Sequence, residues 1–68
     1  MNTQLLKNTM TRYIDMLKLG GPQLVKASLS SQQELNRQDL QKNLTTPASA
    51  QEYQQVLDEV ARSLFPQE

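Results

Sequence analysis

Apolar residues fall at helical spacing twice in this chain, once near each end. Leu6, Met10, Tyr13 and Leu17 are separated by four, three and four positions, and Tyr53, Leu57, Val60 and Leu64 repeat that spacing. At 3.6 residues per turn, each set lines one face of an α-helix. Leu5 and Ile14 widen the first stripe beyond a coiled-coil seam, as a core-facing helix requires. Ala50 extends the second stripe backwards, and Val56 and Ala61 flank it. The spacing predicts helices over about 3–19 and about 50–64.

Between the stripes the pattern is harder to read. Gly20 is placed to take the left-handed conformation that closes a helix, and Lys18 suits the negative end of its dipole. Gly21-Pro22 then breaks the chain, and Pro22 can open the next helix, where a missing N–H costs nothing. That middle helix is expected over about 22–44. On one helical wheel, Leu24 and Leu35 share a direction, whereas Leu29, Leu40 and Leu44 lie about 120–200° away. A single straight helix would thus carry two apolar faces. Ser31-Gln32-Gln33-Glu34 matches a capping box, which would restart a helix near Gln32. Either the middle helix is split near Ser30-Ser31, or it runs whole and touches two neighbours. Thr45-Thr46-Pro47-Ala48-Ser49 reads as a turn, Ser49-Ala50-Gln51-Glu52 as a second capping box, and Pro66 as a stop. The expectation is one all-α domain over 1–68, a small three-helix arrangement that forms a helical hairpin or an open bundle.

Composition supports helix and limits the core. Leucine supplies 11 residues, against three valines and one isoleucine, which favours helix over sheet. The chain has 68 residues, with 37% hydrophobic and 4% aromatic. A domain that small buries a low fraction of its surface, so association with a second chain would add needed stability. There is no cysteine and no histidine, so neither a disulfide nor a thiolate metal site is available. No cofactor and no metal are expected. No hydrophobic run reaches bilayer length, and Met1-Asn2-Thr3-Gln4 opens no signal peptide, so a cytoplasmic setting is the expectation. Asn43-Leu44-Thr45 matches a glycosylation acceptor, which has no meaning without secretion.

The zero net charge hides an asymmetry. Residues 1–30 carry Lys7, Arg12, Lys18 and Lys26 against Asp15, a balance of +3, and residues 31–68 balance at −3. A basic first helix lying near an acidic last helix would steady their pairing slightly, by roughly 0–1 kcal/mol per exposed pair.

Catalysis is poorly served. Histidine, the usual acid–base at neutral pH, is absent, and no serine or threonine has a base at recognisable spacing. Asp58 and Glu59 are sequence neighbours and diverge on a helix, so they cannot chelate as a pair. The chain is expected not to be an enzyme.

Leu29-Ser30-Ser31-Gln32-Gln33-Glu34-Leu35 resembles the first helix of phage-repressor-like domains, often written Leu-Ser-Gln-x-Glu-Leu-Ala. That resemblance implies a helix-turn-helix DNA-binding regulator as the alternative function. It covers seven residues. Asn36 stands in place of the alanine, Leu40 falls one place late, and Thr45-Thr46-Pro47 lacks the usual glycine. The reading helix would carry Glu52, Asp58 and Glu59, which phosphates repel.

The favoured expectation is a protein–protein interaction module: an adaptor, a regulator or a chaperone-like subunit that binds a protein partner or itself. In size and helical layout the chain is similar to small bacterial secretion co-chaperones and regulatory adaptors. Leu35 and Leu40 are candidate anchors, because they stand apolar among Gln, Asn and Arg. Met16, off the main stripe, and Tyr13 and Tyr53, as aromatic anchors, complete the candidate partner set.

Overall fold

The computed structural model describes residues 2–66. The chain is all-helical, with two elements packed against each other: α1 (Thr3–Gln41) and α2 (Pro47–Leu64). α1 opens on Asn2, whose side-chain oxygen accepts the Leu5 backbone N–H at 3.0 Å. That satisfies one of the free donors of the first turn.

α1 is not straight. A helix of 39 residues would measure about 58 Å, yet the longest dimension of the molecule is 34 Å. The reversal lies at Gly21, the single residue inside α1 with non-helical angles, φ 78° and ψ −175°. Pro22 denies its predecessor the helical region, and only glycine takes a positive φ with so extended a ψ. Gly20, expected to close the helix in the left-handed conformation, stays helical; the positive φ falls one position later, at Gly21, with an extended ψ. Gly20 serves the bend differently, since a Cβ there would run into Leu24, including its Cβ at 2.9 Å. α1 therefore consists of a first arm, 3–20, and a second arm, 22–41, joined by one residue.

The second arm passes through Ser30-Ser31 as unbroken helix, so the split considered there is absent. Ser31 caps nothing, and Glu34 turns forward to Arg37 and Gln38 instead. The arm stops at Gln41, three residues short of the expected end. Asn43 takes a positive φ of 59°, Asn43 N–H reaches the Leu40 carbonyl at 3.2 Å, and Leu44 N–H reaches the Asp39 carbonyl at 2.8 Å. Those two bonds form the Schellman closure, in which asparagine can replace glycine.

After the 42–46 connection, α2 begins at Pro47 rather than Ala50. Its cap is Thr46, whose Oγ1 accepts the Ser49 backbone N–H at 3.1 Å, with Pro47 in the first helical position. The predicted Ser49 capping box is not used. Phe65 ends the helix, its N–H bonded to the Ala61 carbonyl at 2.8 Å.

The core forms where both arms meet α2. Tyr13, Val25, Leu29, Val56, Leu57 and Val60 are buried together, and Leu6, Met10, Leu17, Tyr53 and Leu64 pack around them. Both predicted stripes therefore face the core. Thr9 is also buried, four residues before Tyr13 on the same face. Among the described residues, no buried side-chain nitrogen or oxygen lacks a hydrogen-bond partner.

Candidate functional site

The inner face of the second arm changes character along its length. Near the bend it presents Val25 and Leu29, both buried. Starting beside Leu29, Ser28, Gln32 and Asn36 stand four residues apart, which puts them on nearly one line of the helix. Each reaches across to a neighbour. Ser28 Oγ donates to the Tyr13 hydroxyl at 3.4 Å. The Tyr53 hydroxyl donates to Gln32 Oε1 at 3.0 Å. Asn36 Nδ2 donates to the Ala50 carbonyl at 2.8 Å. The pairs Gln32–Tyr53 and Asn36–Ala50 run in opposite sequence directions, so this arm and α2 form an antiparallel hairpin. At its other end Lys26 Nζ sits 4.9 Å from the centre of the Phe65 ring.

The helix touches α2 with one face throughout, but that face is apolar at one end and amide-bearing at the other. Leu40 continues the four-residue line of Ser28, Gln32 and Asn36, whereas Leu35 falls to one side of it. Leu40, 36% exposed, lies in an open groove of about 560 Å³ with Asn36, Pro47, Ala50, Gln51 and Gln54. Glu34 and Arg37 rim that groove and bond each other, Arg37 Nε to Glu34 Oε2 at 3.1 Å. That hydrogen bond, then the one from Gln38, holds the Glu34 carboxyl below its ordinary range. Leu35, 48% exposed, lines a second groove with Gln32, Leu44, Thr45 and Tyr53. Leu44 in the connection is 71% exposed.

The five candidate residues thus separate into two groups. Tyr13 is 1% exposed and offers no surface to a partner. Met16 packs against the core instead of standing off it. Tyr53 is half-buried and shares the second groove with Leu35. Leu35 and Leu40 are on the surface, in different grooves. Burial pushes the Tyr53 hydroxyl above its ordinary range; Tyr13 beside it adds to that rise, and the Arg12 cation opposes it. Arg12 also lies over the Tyr13 ring, 5.6 Å from its centre.

Gln32, Asn36 and Leu44 escaped the sequence reading as surface-shaping residues. The four-residue spacing of Ser28, Gln32 and Asn36 was the available signal. Among the described residues, no group of three or more acidic side chains is arranged to hold a metal, and no helix is long and apolar enough to cross a membrane. No protein-family model, curated protein or solved structure matches the chain.

Proposed function

We propose that this chain is a small non-enzymatic protein-binding module, an adaptor, regulator or chaperone-like subunit, that works in the cytoplasm and presents its second arm to a protein partner or to another copy. In this reading the two arms of α1 act as separate helices, so that the molecule works as a three-helix unit. One observation carries the proposal: the leucines are distributed outward. Of 11 leucines, Leu29 and Leu57 are buried, while Leu19, Leu24, Leu35, Leu40 and Leu44 are exposed. Single exposed leucines are ordinary. Three of these five, however, fall in the last turns of the second arm and the connection after it, Leu35 and Leu44 lining one groove and Leu40 the other. Exposed apolar side chains lining open grooves are a usual form of docking surface.

Leu35→Asp combined with Leu40→Asp tests the proposal. Neither residue is buried, so the double variant should keep its helical circular dichroism and melting temperature. It should lose the self-association seen by sedimentation, or the binding of the partner recovered with the wild-type chain. A folded variant that retains both properties removes the leucine surface from consideration. Nanomolar, sequence-selective and salt-sensitive DNA binding by the wild-type chain would overturn the protein-binding reading.

A further inference from the structure

We infer that Gly21 is a one-residue hinge through which two copies of this chain can exchange their first arms. The inference is independent of the exposed leucines. Two adjacent positions at the bend reject a side chain in the closed molecule, for different reasons. Gly21 needs a φ of 78° with an extended ψ, a combination closed to L-residues with a Cβ. Gly20 has no space for a Cβ because Leu24 fills it. Pro22 leaves residue 21 one other comfortable choice, the ordinary extended conformation with negative φ. That choice swings the first arm away from its own core.

An arm opened in this way exposes Leu5, Leu6, Met10, Tyr13, Met16 and Leu17, all of which pack in or against the core when closed. Exposure of so much apolar surface in water is unfavourable. The first arm of a second copy makes the same contacts on the vacated face, and the two copies satisfy each other reciprocally. Closed monomer and exchanged dimer then share their side-chain contacts. They differ in the backbone of residue 21 and in the entropy of association. Straightening α1 into one helix is not required, and Pro22 opposes it.

Gly21→Ala raises the closed form in energy and leaves the extended hinge unaffected. Because a dimer relieves two hinges, its association constant should rise by about a hundredfold or more. Sedimentation equilibrium from micromolar to millimolar concentration reads this, with circular dichroism showing that helix is retained. Gly21→D-Ala, made by chemical synthesis, prefers the closed angles and should associate no more strongly than the wild-type chain over the same range. In mixed dimers of isotopically labelled and unlabelled Gly21→Ala chains, the contact between Tyr13 and Ser28 should appear between copies. A Gly21→Ala chain that is folded and monomeric, or that unfolds without dimerising at millimolar concentration, overturns the hinge. So does a dimer dispersed by Leu35→Asp and Leu40→Asp, since that dimer would be a surface contact. An exchanged dimer that survives those aspartates, alongside loss of partner binding, would uphold both proposals; survival with binding intact would sink only the leucine surface.

Discussion

The two halves of the hairpin between the second arm and α2 are held by different physics. Near the bend, Val25 and Leu29 join Val56, Leu57 and Val60 in a buried cluster. Near the 42–46 connection, Gln32 and Asn36 reach Tyr53 and Ala50 through hydrogen bonds, with open grooves on either side. Burial of apolar surface is strong but indifferent to direction. A hydrogen bond adds less net stability, about 0.5–1.5 kcal/mol, but demands one geometry. The apolar half therefore supplies most of the stability, and the amide half fixes how the helices align. The amide half also leaves its flanking leucines outside, where the proposed surface lies.

Truncation in the apolar half should have the largest effect. Leu57 is fully buried, so Leu57→Ala should cost about 2–5 kcal/mol in urea unfolding. Leu17 is only half-buried, and Leu17→Ala should cost roughly half as much. Equal losses at the two positions would mean that the first arm contributes to the core as fully as α2 does.

Truncation in the amide half should cost less. Asn36→Ala removes the bond to the Ala50 carbonyl, and the expected loss is about 1 kcal/mol. The informative reading is in alignment rather than stability. Amide hydrogen exchange in 47–53 should accelerate, while exchange around Val25 and Val60 tracks only the small global change. A loss as large as that of Leu57→Ala would show that Asn36 belongs to the core.

The stripes were legible because apolar residues at a 3.6-residue period have one physical reading: a buried face. The amide half was not, because hydropathy registers glutamine and asparagine as solvent-facing whether or not they bond across a helix pair. Leu35 and Leu40 looked badly placed only while leucine alone was allowed to mark the inner face. Cap positions misled for a related reason. Both Ser49 and Thr46 can cap, and Pro47, comfortable in a first helical turn, decides for Thr46. At the bend, the neighbouring proline selects Gly21 over Gly20, a one-residue distinction that a glycine pair conceals.

Alkaline titration probes the amide half without truncating it. Tyr53 has a raised pKa in the folded chain. A group whose folded pKa is raised contributes stability that is complete below its unfolded pKa, about 10 for tyrosine, and is lost as pH climbs through the folded value. Stability should therefore fall above about pH 10. Tyr53→Phe cannot ionise, so it should start lower for want of the Gln32 bond and then fall less steeply over the same range. Identical slopes would show that the Tyr53 hydroxyl ionises in the folded chain as it does in water.

The smallest effect should come from the closure of the second arm. Asn43 sits in the left-handed region, where L-residues are disfavoured and asparagine suffers less than most. Glycine would relieve that remaining strain but loses more freedom on folding, roughly 0.5–1 kcal/mol relative to alanine. The two terms nearly cancel, so Asn43→Gly should change stability by only a few tenths of a kcal/mol, on the stabilising side. Asn43→Ala has neither compensation and should lose about 1 kcal/mol. The Leu44 N–H bond to the Asp39 carbonyl depends on this backbone, and Leu44 takes its place beside Leu35 through it. If Asn43→Ala weakens partner binding by more than its stability loss explains, the closure sets the leucine surface. If binding is unchanged, Leu44 lies outside that surface, and Leu35 and Leu40 carry it alone.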